Sequence, residues 1–267
     1  MAFTQKELEV LTYKVEALAK EAGAFIKQER SIFDDAKIEY KGEKDLVSYV
    51  DKETEKLLVA RLRELLPEAG FITEEKTVKT EDKQFKWVID PLDGTTNFIH
   101  NLPIYSVSIG LLDGDFPVLG VVYEVNRDES FIAWKDGGAY LNRKQIFISN
   151  ANELKKSLIA TGFPYDFEDK IESYFEIMKE LVRYSHGLRR MGSAAVDMCY
   201  VACGRLEAYY EFNIQLWDIA AGVVILMEAG GKATDFSGNN NFIHSRTMIA
   251  AGHIYQDIYK IVTKYWL

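Results

Sequence analysis

The chain has 267 residues, 48% hydrophobic and 27% charged, with 15 Tyr and 15 Phe, which is the composition of an ordinary globular protein somewhat larger than a typical single domain. A net charge of −9 disfavours a nucleic-acid binder, which needs a basic stripe to neutralise phosphates. It leaves anionic substrates open, because clustered carboxylates hold divalent cations and these attract phosphate.

In chain order, Leu8, Leu11, Val15, Leu18, Ala22 and Ile26 recur at helical spacing and predict a helix over 6–30. The opening MAFTQKELEV has no apolar signal core. Leu57, Leu58, Leu62, Leu65 and Leu66 mark a second helix over 51–66, with Pro67 just beyond its end. The periodicity then changes. KWVID (86–90), YSVSIGLL (105–112), VLGVVYEV (118–125) and SFIAWK (130–135) read as strands of an antiparallel meander, with turns at 113–115 and 136–138. Beyond residue 150, strands are expected at 157–163, 206–212 and 247–252. Helices are expected at 170–184, 193–203, 217–229 and 255–266. This order suggests an α+β half over 1–145 and an α/β half over 146–267 that completes the site. The longest apolar run, 219–227, is too short to cross a bilayer. Cys199 and Cys203 have no further thiol to make a zinc site or disulfide framework, and read as thiols in a reducing cytoplasm.

The informative segment is WVIDPLDGTTNFIH (87–100). A strand delivers Asp90, Pro91 cannot donate to the ladder, and Asp93 follows three residues on. Asp90, Asp93 and the Leu92 carbonyl are the hard oxygen donors that Mg²⁺ prefers. Gly94-Thr95-Thr96-Asn97 reads as a turn into a short helix whose free N–H groups suit an anion. The bland alternative is a tight turn carrying solvated acids. The strand before and the Thr-Thr-Asn-Phe after weigh against it. Other acids carry less by themselves: Asp218 as a first-turn charge after Trp217, Asp51 as a cap of the second helix, and Glu74 as one of a solvated pair with Glu75.

Taken together, DLVSYVD (45–51), FITEE (71–75), the 87–100 run, GSAA (192–195) and WDIAAG…EAGG (217–231) resemble the inositol monophosphatase family, in that family's order. The resemblance implies a layered α-β-α-β-α sandwich and a lithium-sensitive phosphatase using two or three Mg²⁺ per site. Glu74, Asp90 and the Leu92 carbonyl would hold the first metal, and Asp90, Asp93 and Asp218 the second. A third would lean on Glu74 and waters. Asp51 and Thr95 would orient or deprotonate the attacking water, and the Gly94 and Thr95 amides would bind phosphate. Asp93, Ala194, Glu211 and Asp218 would line the alcohol subsite. Lys41 matches a family loop lysine with spacing one residue short. Gln215 departs from a histidine found in many animal members, which puts fine specificity in doubt. A homodimer is expected by resemblance alone.

The chemistry expected is direct attack of an activated water on a phosphate monoester. No G-x-S-x-G elbow or P-loop supplies another route, and the four histidines are scattered. Glu211 facing the alcohol half favours hydroxyl donors and repels a second phosphate. That argues for a polyol monophosphate such as inositol 1-phosphate over fructose 1,6-bisphosphate or a 3′-phosphonucleotide, unless Glu211 pairs instead with Arg189 or Arg190. Within the same chemistry a broad sugar-phosphate phosphatase, a bisphosphatase or a histidinol-phosphate phosphatase is the alternative. A sugar-phosphate-binding protein without catalysis is the alternative from another class.

Overall fold

The computed structural model describes residues 3–33, 38–40, 46–81, 83–163 and 168–266; Lys41 lies outside them. The first helix, α1 (Gln5–Ser31), starts at a capping box: the Thr4 hydroxyl accepts the Glu7 N–H and Glu7 accepts the Thr4 N–H. Of its predicted stripe, Leu8, Leu11, Val15, Ala22 and Ile26 are buried, and Leu18 is partly buried against the same core. A short antiparallel pair, β1 (Ile38–Tyr40) and β2 (Leu46–Ser48), leads into α2 (Tyr49–Leu65). The buried face of α2 carries Leu58 and Leu62 but also two acids, Asp51 and Glu55.

A seven-stranded sheet follows: β3 (Gly70–Thr73), β4 (Phe85–Asp93), β5 (Ser106–Asp113), β6 (Phe116–Glu124), β7 (Glu129–Trp134), β8 (Gly138–Leu141) and β9 (Lys144–Gln145), adjacent in chain order. β3 and β4 are parallel and the other pairs antiparallel. The expected meander is present, extended by β8 and β9, which are too short to show an alternation in sequence. β4 also runs past Asp90. Its pairing with β5 jumps from Asp90↔Ser108 to Asp93↔Ser106, so Pro91 falls in a bulge where no N–H is required. The short helix α3 (Thr95–Ile99) leaves the end of β4 through Gly94, whose φ of 99° favours glycine.

The second sheet contains β10 (Leu158–Thr161), β11 (Gly187–Arg189), β12 (Ala208–Phe212), β13 (Lys232–Thr234) and β14 (Thr247–Ala251), in the order β11-β10-β12-β14-β13. Its helices are α4 (Ile171–Tyr184), α5 (Ala194–Ala202), α6 (Leu216–Glu228), the short α7 (Phe242–Ser245) and α8 (Tyr255–Trp266).

Five layers stack through apolar cores. α1 and α2 cover one face of the large sheet through Val107, Ile109, Leu119 and Val121. α5 and α6 lie between the sheets, against Val122 and Phe131 on one side and Tyr209 and Met248 on the other. α4 and α8 close the small sheet over Tyr210 and Ile249. Successive residues of β12, Tyr209 and Tyr210, serve opposite cores, as the period of two requires. The expected α-β-α-β-α sandwich is the fold observed. On the α6 side, β5 and β6 present small residues. A Cβ at Gly120 would stand 2.3 Å from the Ala221 carbonyl oxygen, and one at Gly110 would stand 3.0 Å from Ala220 Cβ, so helix and sheet touch nearly backbone to backbone. No helix among the described residues is long and apolar enough to cross a membrane.

Candidate active site

The carboxyl ends of β3, β4 and β12 and the N-termini of α3, α5 and α6 open on one cleft of about 480 Å³. Glu74, Asp90, Asp93, Asp218 and Glu211 line it, as do Leu92, Gly94, Thr95 and Ala194. Chain segments far apart in sequence therefore bring their acids together. Asp51 lies just behind, fully buried.

Each of these aspartates commits an oxygen to the scaffold. Asp90 Oδ1 accepts the Leu92 N–H at 3.0 Å. Asp93 Oδ2 accepts the Ser193 hydroxyl at 2.6 Å and the Ala195 N–H at 2.8 Å, which ties the end of β4 to the first turn of α5. Asp218 Oδ2 accepts the Gln215 N–H at 2.8 Å, so it does serve its helix terminus as the bland reading held, and it also faces the other acids. Asp51 Oδ2 accepts the Ser48 N–H at 2.8 Å and hydroxyl at 2.6 Å. Ser48, not Asp51, is the N-cap of α2; Asp51 is the third-position acid of a capping box. Its other oxygen, Oδ1, takes the Thr95 hydroxyl at 2.8 Å, and Thr95 Oγ1 is also 3.0 Å from the Leu92 carbonyl.

Burial, and after it the crowding of like charge, shapes the titration. Burial holds the Asp90 carboxyl well above its ordinary range, reinforced by Glu74, Asp93 and Asp218. Burial also raises Asp218, with Asp93 and Glu74 adding to it. Asp93 is pushed up to about 6 by burial, held back by its Ser193, Ala195 and Ala194 hydrogen bonds and by Arg190. Asp51 is raised by burial despite its four hydrogen bonds. As arranged, no three histidine, cysteine or acidic side chains among the described residues form a finished ligand set. The donors nevertheless suit a hard divalent cation: all are oxygens, and six carboxylates line the cleft against three basic side chains, Lys76, Arg190 and Arg246. A cation would relieve the repulsion that lifts these acids.

On the opposite wall, Glu211 accepts the Tyr209 hydroxyl and is pushed up to about 7 by burial, with Asp93 raising it and Arg190 lowering it. Arg190 lines the cleft with Glu211, whereas Arg189 is exposed and donates to the Leu188 carbonyl. Gly162 is what makes room: a Cβ there would lie 1.8 Å from Glu211 Oε2. His100, at the end of α3, is exposed.

Sequence reasoning missed Asp197. It is buried on α5, lines the cleft, and has one oxygen without a hydrogen-bond partner. Burial beside Glu211 and Asp93 holds its carboxyl well above the ordinary range. A single acid in the otherwise apolar run AAVDMCYVA was the available signal. It also missed Ser193, where the serine of GSAA gave no hint of a partner a hundred residues away.

The layered sandwich thus places an acid-rich cleft at helix N-termini and strand ends. The inositol monophosphatase family model matches residues 7–267. A Nus factor SuhB of Pasteurella multocida is 38% identical over 234 residues, covering 87% of this chain and 88% of that protein. An inositol-1-monophosphatase of Mesorhizobium japonicum is 33% identical over 248 residues, covering 92% and 93%. The crystal structure of the extragenic suppressor protein suhB from Bartonella henselae superposes with a TM-score of 0.90 at 34% identity, covering 96% of this chain and 99% of that one. The chain belongs to the inositol monophosphatase family.

Proposed function

We propose that this chain is a Mg²⁺-dependent phosphomonoesterase that hydrolyses inositol monophosphate to inositol and phosphate. The observation that carries this reading is the meeting of Glu74, Asp90, Asp93 and Asp218 in one cleft beside the hydrogen-bonded Thr95–Asp51 pair. Mg²⁺, when bound, would polarise phosphate oxygens and acidify a water. Glu74, Asp90 and the Leu92 carbonyl would hold one ion, and Asp90, Asp93 and Asp218 a second, with a third leaning on Glu74. Asp51 would hold the Thr95 hydroxyl with its lone pairs toward the water, so that Thr95 orients it or passes its proton inward. The Gly94 and Thr95 amides would bind phosphate. Asp93, Ala194, Glu211 and Asp218 would meet the hydroxyls of the polyol, where a carboxylate accepts from O–H groups and disfavours a second phosphate. Residues 1–145 would supply most of the cation site, and 146–267 Asp218 and the polyol wall. By resemblance the chain would be a cytoplasmic homodimer inhibited by lithium.

The test is phosphate release with Mg²⁺ from inositol 1-phosphate, fructose 1,6-bisphosphate, adenosine 3′,5′-bisphosphate and histidinol phosphate. The first should be turned over fastest, and Asp93→Asn should abolish turnover. No turnover of any of the four, or wild-type rates from Asp93→Asn, would defeat the proposal. The Nus factor name of a relative at 38% identity favours a second reading, in which this chain also acts as a Nus factor. Asp93→Asn separates the two, since a cellular role kept by the inactive variant is not the phosphatase role.

A further inference from the structure

Glu55 takes no part in the cation site proposed above, yet it is fully buried one helical turn beyond Asp51 on α2. Both of its oxygens are used by one loop. Oε2 accepts the Glu75 N–H at 2.7 Å, and Oε1 accepts the Thr77 N–H at 2.8 Å and the Thr77 hydroxyl at 2.7 Å. Between those two amides Lys76 sits at φ 54°. A left-handed residue between two amides turns both N–H groups to the same side, and such a concavity binds an anion. Here the anion is an internal carboxylate. A left-handed non-glycine residue persists only where its surroundings over-determine it, and Glu55 supplies that determination.

The loop begins at Glu74. On its near side Glu74 is fixed by the sheet, where its N–H donates to the Ile89 carbonyl at 3.2 Å. On its far side the first anchor is the Glu55 carboxylate on Glu75. We infer that Glu55 is a positioning residue that sets the Glu74 carboxylate against Asp90. Asp51 and Glu55 thus divide the work of one helix turn: the first orients Thr95 and the second orients the β3 loop. This rests on the cation reading of Glu74 proposed above.

The experiment is a calorimetric titration of Mg²⁺ alone into the full chain, with melting temperature measured in EDTA alongside. Glu55→Gln keeps the shape but turns one acceptor into a donor that faces an N–H. It should weaken Mg²⁺ binding about tenfold or more, as loss of a group supporting a metal ligand does. Thr77→Val removes one donor at an exposed position and should weaken binding about threefold; it decides the matter if Glu55→Gln does not fold. Glu16→Gln is the control. Glu16 is an equally buried acid, 2% exposed and paired with Arg143 and Lys20, and its loss should lower the melting temperature without moving Mg²⁺ affinity. Binding within twofold of wild type in both loop variants, or an equal loss in Glu16→Gln, overturns the assignment of Glu55 alone. A wild-type chain that binds no Mg²⁺ overturns the cation reading and this inference together.

Discussion

Thr95 donates its hydroxyl to Asp51 Oδ1 at 2.8 Å, linking the first turn of α3 to the first turn of α2. One hydroxyl has one proton. Given to the carboxylate, it leaves the nearby Leu92 carbonyl, at 3.0 Å, free to face a cation, and leaves the Thr95 lone pairs free to accept from a water. Thr95→Val and Asp51→Asn should each lower the maximal rate on inositol 1-phosphate by about 10²–10⁴-fold. Thr95→Ser, which keeps the hydroxyl, should stay within about tenfold of wild type. A Val variant as fast as the Ser variant removes Thr95 from the chemistry.

Asp90 is held out of its ordinary range by burial and by three neighbouring acids. A cation that neutralises them stabilises only the folded chain. At a Mg²⁺ concentration about 100 times its dissociation constant the gain is about 2.7 kcal/mol. That corresponds to a rise in melting temperature of roughly 5–10 °C for a chain of this size. Asp90→Asn should melt higher than wild type in EDTA at pH 8, because a repelled carboxylate is gone, and should lose most of the Mg²⁺ response. Differential scanning fluorimetry reads both, and an undiminished Mg²⁺ shift in the variant contradicts the ligand role.

Glu211 is pushed up to about 7 by burial, with the Tyr209 hydroxyl and Arg190 opposing and Asp93 reinforcing; Asp197 and Asp218 both feel its charge. Between the unfolded value near 4.5 and about 7, the folded chain holds a proton that the unfolded chain has released. The burial penalty is absent below that window. It accumulates as pH rises through it and is complete above pH 7. Stability in EDTA should therefore fall from pH 5 to pH 7.5, and Glu211→Gln should flatten that fall. Denaturant titrations at half-unit pH steps test this; an unchanged slope in the variant would mean that Glu211 is ionised throughout.

Gly162→Ala would place a methyl 1.8 Å from Glu211 Oε2. No positive φ marks this glycine, so the conflict is with the side chain and not the backbone. Glu211 must swing off the wall proposed above for the polyol. KM for inositol 1-phosphate should rise about tenfold, matching loss of one or two hydrogen bonds to a charged group. Mg²⁺ affinity should be unchanged, since Glu211 is not placed at the cation. Steady-state kinetics with a parallel Mg²⁺ titration separates the two, and an unaltered KM contradicts a substrate contact by Glu211.

Much of this was legible in the chain. The stripe of Leu8, Leu11, Val15 and Ile26 and the strands over 86–135 and 206–212 appear where periodicity places them, because each faces one core per side. β8, β9 and β11 were not legible: two to four residues hold too few alternations, and their pairing is set by neighbours distant in sequence. The Asp90–Asp93 pair was legible because Pro91 and Gly94 constrain the backbone between and beyond the two acids. Glu55 was not. Within DKETEKLL it is one charge among several, and only the fold turns it inward to amides some twenty residues away. Asp197 needed the same context.

The close approach of α6 to the large sheet sets a tolerance on the site. Asp218 rides on a helix whose Ala221 carbonyl leaves no room for a methyl at Gly120, while Asp90 stands on a strand of that same sheet. Main chain bears on main chain there, so side-chain drift in the core has little leverage on the gap between the two acids. Residue changes can accumulate around this seam while the gap stays at one width, provided glycine remains where the helix lands.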